Sequence, residues 1–190
     1  MTLPTVSQIV PAPINYSGNP YLSSYETAVV VSLIRSVKPR IVIEFGCQLG
    51  RTAKTVLDNV PGIVRYIGVD VPFSYKPKLK QQSDEIPGTP GLYASGDTRF
   101  WLLRPNNGTL DLLPTDLEPC DAVFIDGDHS EYVVRHDSLL ARLLVRPGGI
   151  LIWHDYDNPA VEVTPVLDRF CEGGWPIKHV TGTWVAFMKL

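Results

Sequence analysis

Charge of one sign is what this chain most lacks. Its 17 basic and 20 acidic residues are mixed along 190 positions and leave a net charge of −3. A chain that binds nucleic acid is expected to carry a basic excess or stripe. The one basic cluster here, Lys76, Lys78 and Lys80, reads as a solvated loop. Apolar runs are short, and none approaches the roughly 20 residues of a membrane span. Cysteine is scarce too. Cys47, Cys120 and Cys171 are odd in number and have no metal-type spacing, which points to reduced thiols and a cytoplasmic location. No basic stretch followed by an apolar core opens the chain, so no secretory signal is expected. Internal repeats and low-complexity segments are absent. So are two loop signatures: the Gly-x-Gly-x-x-Gly of nicotinamide folds, and the glycine loop ending in Lys-Ser/Thr that cradles phosphates.

What is there suits one globular domain. Hydrophobic residues make up 44% and charged residues 19%, enough apolar side chain for a sizeable core at this length. The most informative stretch is Ile41-Val42-Ile43-Glu44-Phe45-Gly46-Cys47-Gln48-Leu49-Gly50-Arg51-Thr52. An apolar run, expected of a buried parallel strand, ends in an acid. Glycines four apart follow, where the backbone can turn tightly and let a ligand approach. An acid two residues before the first glycine repels phosphate. It suits a cofactor with positive charge and no phosphate, of which S-adenosylmethionine is one. The competing reading is an ordinary strand-to-helix turn.

The rest of the chain alternates strand and helix, which predicts a parallel sheet with right-handed crossovers. Four prolines in the first 20 residues predict an extended arm or lid over residues 1–22, ahead of a domain at 23–190. Ser24 is placed to cap a helix over Tyr25–Val37. Helices are expected at Thr52–Asn59, Ser130–Val145 and Ala160–Cys171. Strands are expected at Val64–Asp70, Leu92–Asp97, Asp121–Asp126 and Ile150–Trp153. A helix is expected to start in Thr98–Leu103, and a short one is possible at Lys78–Glu85 within a proline-broken segment, residues 72–90. Ile177–Val180 and Trp184–Leu190 read as a closing antiparallel hairpin.

Glu44, Asp70, Asp97 and Asp126 close predicted strands, and Asp155 follows one directly. In an open parallel sheet the ligand crevice lies beyond the carboxyl ends of the strands, so all five acids are expected at one edge. Asp70, about 20 residues past the glycine loop, is placed to hold ribose hydroxyls. Asp126 and Asp155 close consecutive strands. If those strands are neighbours, the two carboxylates lie about 5 Å apart and call for a cation. Oxygen ligands at a wet edge suit magnesium, calcium or manganese. Each acid taken singly also reads as a helix cap or a solvated loop residue.

Together these residues resemble the class I S-adenosylmethionine-dependent methyltransferases over about residues 25–190. The resemblance implies a doubly wound α/β fold: a mostly parallel seven-stranded sheet, Rossmann-like, with a C-terminal antiparallel hairpin. It implies cofactor contacts from Glu44, Gly46, Cys47, Gly50, Asp70, Gly96, Asp97 and Asp126. Ile125-Asp126-Gly127-Asp128-His129-Ser130, then Arg146-Pro147-Gly148-Gly149 and Trp153-His154-Asp155-Tyr156, is similar to the small metal-dependent O-methyltransferases of the macrolide-sugar and catechol types. In that branch an acid of the fourth strand and a carboxylate pair after the fifth bind magnesium. Asp126 and Asp155 match, while His154 stands where a carboxylate often stands and widens the choice to manganese. His129 matches a general base. The implied reaction is methyl transfer to a hydroxyl of a small molecule, with Asp126 and His129 catalytic and Asp126, His154 and Asp155 on the metal. A second copy of the chain is a further source of pocket residues, and neither nucleic acid nor membrane is an expected partner. The alternatives are a non-catalytic protein that binds S-adenosylmethionine or a nucleotide, and a nucleotide-cofactor enzyme on a similar fold.

Overall fold

The computed structural model describes residues 3–6, 9–16, 18–79 and 85–190. Lys80 and most of the short helix expected at Lys78–Glu85 lie outside the described residues. In chain order the elements are β1 (Thr5–Val6), α1 (Ser24–Arg35), β2 (Ile41–Phe45), α2 (Arg51–Asn59), β3 (Arg65–Val69), β4 (Phe100–Leu103), β5 (Cys120–Ile125), α3 (Glu131–Leu144), β6 (Val145–Trp153), α4 (Val163–Glu172), β7 (Lys178–Val180) and β8 (Ala186–Lys189). The strands form one sheet in the order β1-β7-β8-β6-β5-β2-β3-β4. Only β8 runs antiparallel to its neighbours, β6 and β7. This is the expected doubly wound sheet with its closing hairpin, and the arm adds the two-residue strand β1 alongside β7.

Both faces of the sheet are covered, which is why its strands read as unbroken apolar runs. Ile43, Phe45, Ile67, Val69, Val123, Ile125, Leu151 and Trp153 pack under α3 and α4. Val42, Tyr66, Ala122, Phe124, Ile150 and Ile152 pack under α1 and α2. Trp153 is fully buried, and its indole N–H donates to Ser138 Oγ at 2.9 Å, so the largest core side chain has its one polar group satisfied. The cap of α1 falls one residue earlier than expected. Ser23, not Ser24, is the N-cap, and it forms a capping box with Glu26.

One expected strand is absent. Leu92–Asp97 forms successive turns, with Gly91 and Tyr93 donating to the carbonyls of Gln48 and Leu49 and Asp97 N–H donating to Ala94. The strand is Phe100–Leu103, where a helix was expected to start. It lies at the sheet edge with Trp101 half exposed, so it lacks the alternation that burial on one face imposes. Asp97 therefore precedes β4 and lies at the opposite edge from the other acids.

β2 and β5 are neighbours from which the chain winds outward in both directions, the arrangement that opens a crevice beyond their carboxyl ends. Gly46 sits in that crevice with φ +84°, and a Cβ there would lie 2.2 Å from the Asp126 carbonyl oxygen and 2.4 Å from Gly127 Cα. Both obstacles are backbone and cannot swing away. Gly46→Ala is expected to destabilise the protein by at least about 2 kcal/mol. A urea midpoint unchanged from the parent would show that the two loops separate at little cost.

Candidate functional site

The loops after β2, β3, β5 and β6 meet at this edge and enclose two adjoining cavities. The first is bounded by Asp70 and Val71 after β3, by Asn107, Gly108 and Thr109 after β4, and by Asp128, Val133 and Asp137. Tyr75 closes it from above, its hydroxyl donating to Asp128 Oδ2 at 2.9 Å. The second, of about 420 Å³, is lined by Asn19, Pro20 and Tyr21 of the arm, by Arg51 and Thr52 of α2, and by His129, His154, Asp155, Asn158 and Trp184. Gly46, Gln48, Glu85, Asp126 and Gly127 border both. A volume of that size is in the range of small-molecule sites, about 300–1,000 Å³.

Asp70 accepts the backbone N–H groups of Gln48 and Val71, which fixes its carboxylate at the mouth of the first cavity. Burial, against those hydrogen bonds, raises its pKa. Asp126, His129, His154 and Asp155 form the chemical centre of the second cavity. His129 Nε2 lies 3.4 Å from both Asp126 Oδ1 and Asp155 Oδ2. His154 Nδ1 lies 3.3 Å and 3.2 Å from the same two oxygens. One donor atom each from Asp126, His154 and Asp155 lies within 4.8 Å of the others. Burial opposes charge on Asp126, but the imidazoles of His154 and His129 outweigh it and hold the carboxyl below the usual range. The same exchange holds Asp155 at about 2, with Asn158 as a further donor. Burial likewise opposes charge on the imidazoles, yet the facing carboxylates raise His129 and carry His154 well above 6.5. Asp155 and Asp157 have φ of +61° and +71°, a left-handed conformation that non-glycine residues rarely take. At Asp155 this backbone strain falls in the cluster itself.

Gly46, Cys47, Asp70, Asp126, His129, His154 and Asp155 all line the cavities. Four others do not. Gly50 starts α2 and packs on Gly91, where a Cβ would meet Gly91 Cα at 2.9 Å. Glu44 is buried behind the loop and accepts the Tyr66 hydroxyl at 3.0 Å, its carboxyl pushed well up by burial. Gly96 and Asp97 are a correction. Asp97 is paired with Arg99 at 2.6 Å, whose guanidinium also donates to the Leu57 carbonyl of α2, and it lines neither cavity. Asn107, Gly108 and Thr109 line the first cavity instead. Sequence reasoning also missed Glu85, Tyr75 and Asp137. Asp137 is 1% exposed and accepts the Thr109 hydroxyl. A polar residue at a core-facing helix position was the one available signal for it.

Residues 43–156 match the family described as a methyltransferase domain. The chain belongs to that family. The match begins at β2, ends after β6, and spans the glycine loop and the whole Asp126–His129–His154–Asp155 cluster of this methyltransferase. Among solved structures, the O-methyltransferase TomG from Streptomyces achromogenes, in complex with SAM, is similar at TM-score 0.59 and 17% identity, over 88% of this chain and 81% of that one. An O-methyltransferase from Bacillus cereus in complex with SAH is similar at TM-score 0.57 and 14% identity, over 90% and 84%. Precorrin-6y C5,15-methyltransferase from Geobacter metallireducens is similar at TM-score 0.59 and 13% identity, over 92% and 95%. At these identities the likeness is one of fold. No curated protein matches the chain.

The charge arrangement sets a pH dependence for the metal-free protein. His154 is raised well above 6.5, so the stability it contributes is complete below about pH 6.5 and is lost as pH rises through its folded-state value. Asp155 is lowered from 3.8 to about 2, so its contribution is present above about pH 4 and is lost as pH falls towards 2. In chelator, the urea midpoint is expected to decline on both sides of neutrality, by up to about 2 kcal/mol on the acid side from Asp155. His154→Gln should flatten the alkaline limb, and an identical limb in that variant would place its source elsewhere.

Proposed function

We propose that this methyltransferase uses S-adenosylmethionine to methylate a hydroxyl group of a small molecule, assisted by a divalent cation. The observation that carries the reading is the meeting of a partly buried and a buried carboxylate with two imidazoles on the wall of a cavity that adjoins the glycine loop. The bound SAM of TomG and SAH of the Bacillus cereus enzyme support the cofactor, and both of those proteins are O-methyltransferases. The precorrin enzyme on the same fold shows why the acceptor has to be argued from the site instead.

Asp70 would accept the ribose hydroxyls, with Asn107–Thr109 and Val133 bordering the base. Gly46 and Gln48 present backbone where the two cavities join, leaving the second cavity for the methionine end and the acceptor. When bound, S-adenosylmethionine supplies an electrophilic methyl group on a sulfonium. Asp126, His154 and Asp155 would hold the cation, whose chemistry is to lower the pKa of an acceptor hydroxyl. A set of two carboxylates and one imidazole favours manganese over magnesium. His154 Nδ1 lies 3.3 Å and 3.2 Å from one oxygen of each acid, which fits an imidazole that shares an ion with them. His129, with both carboxylates raising its basicity, is placed to take the hydroxyl proton. Tyr21 and Trp184 wall the cavity with aromatic surface, and its size fits a small acceptor, not a nucleic acid. Among the described residues no helix is long and apolar enough to cross a membrane. The free thiols of Cys47, Cys120 and Cys171 fit a reducing, cytoplasmic setting.

Asp70→Ala is expected to weaken S-adenosylhomocysteine binding by roughly 1.5–3 kcal/mol, the cost of losing hydrogen bonds to a charged group. Calorimetry giving an unchanged affinity would remove Asp70 from the cofactor site. The reaction is tested with labelled S-adenosylmethionine and a panel of aromatic and aliphatic hydroxyl compounds. On the acceptor so found, chelation should abolish transfer and manganese restore it. His129→Ala should lower turnover by about a hundredfold with cofactor affinity intact. Full activity in excess chelator rejects the cation; full activity of the variant rejects the base.

A further inference from the structure

His154 faces carboxylates on both sides. The ring is 4% exposed. Nδ1 points at Asp126 and Asp155, while Nε2 points away from the cavity towards Glu26 Oε1 at 3.8 Å. Glu26 lies in the first turn of α1, outside the residues the family match covers. Both of its oxygens are held. Oε1 accepts the Trp184 N–H at 2.8 Å, and Oε2 accepts the Ser23 hydroxyl at 2.8 Å and the Ser23 N–H at 3.2 Å. The carboxylate is therefore fixed in place by the start of a helix and by the turn between β7 and β8, before His154 is considered.

An imidazole that binds a metal through one nitrogen commonly gives its other N–H to a carboxylate. That contact sets the tautomer, orients the ring and raises the basicity of the ligating nitrogen. We infer that Glu26 is a positioning residue of the cation site: it accepts a hydrogen bond from the Nε2–H of His154, so that Nδ1 is presented as a lone pair to a divalent cation shared with Asp126 and Asp155. The inference rests on the cation reading above. The present separation is that of an ion pair, and such contacts tighten when the site is filled. The arrangement ties the cation site to α1 through Glu26 and to the closing hairpin through Trp184.

Glu26→Gln is the informative variant. Glutamine is accepted at the third position of a capping box, but its single oxygen reaches Ser23 or Trp184 and not both, so the variant removes the charge and one side of this hydrogen-bond set. The full chain is titrated with manganese alone by calorimetry, in parent, Glu26→Gln and Asp126→Asn forms. Thermal denaturation of each metal-free form checks folding. In parallel, the imidazole nitrogens are followed by 15N NMR of the zinc-loaded protein, with His154→Asn to assign the signal. The expected result is a dissociation constant raised about 10- to 100-fold in Glu26→Gln, together with a displaced His154 Nε2–H signal and a single cooperative thermal transition in the metal-free form. An unchanged manganese affinity in Glu26→Gln, with Asp126→Asn impaired, overturns the role of Glu26 and leaves the cation site standing. A weakened affinity with an unmoved His154 signal also overturns it, because Glu26 would then act only as a distant charge. A parent that binds no manganese, or binds it equally well as Asp126→Asn, rejects the cation site and this inference with it.

Discussion

Two carboxylates held side by side by neighbouring parallel strands are the constraint around which this structure is arranged. β5 and β6 run in register, with Ile125 opposite Trp153, so the next residues of each strand bring Asp126 and His154-Asp155 to the same spot. Buried anions this close are costly unless compensated. The compensation comes from two imidazoles inserted from different loops and from the side-chain amide of Asn158, while the Glu26 carboxylate faces the far side of the His154 ring. The left-handed backbone of Asp155 is the local cost of aiming its side chain back into the group.

Around that cluster, close backbone approach does the rest. Gly46 lets the loop after β2 lie against the Asp126–Gly127 backbone, and Gly50 lets the start of α2 lie against Gly91. These contacts join the glycine loop, the loop after β5 and the turns at residues 91–99 into one rim. The two cavities therefore share a wall, and Asp126 borders both. A group bound across that wall is in reach of the imidazoles without any large movement of the chain.

Much of this was legible in the order of residues. Buried parallel strands announce themselves as apolar runs, and acids at their ends fall at one edge wherever the strands are truly parallel and correctly assigned. Asp70, Asp126 and Asp155 were found that way, and so was the glycine loop. Asp97 was misplaced because Leu92–Asp97 looks like a strand, while the true edge strand, Phe100–Leu103, half exposed and paired on one side, carries no periodic pattern. Glu44 was assigned to the cofactor because it precedes the loop, but strand alternation turns it under α1 and α2, where it accepts the Tyr66 hydroxyl.

The sequence by itself determined the sheet, its winding and the acids of its carboxyl edge, because each follows from local periodicity and from the rule that parallel strands share a direction. Only the tertiary structure decided that Glu26, His154 and Trp184 meet, that Glu85 borders both cavities, and that Asn107–Thr109 replace Gly96-Asp97 beside the first. Those residues come from a helix cap, a hairpin turn and irregular loops. Their positions depend on how distant segments pack, and no pattern of spacing along the chain encodes that distance.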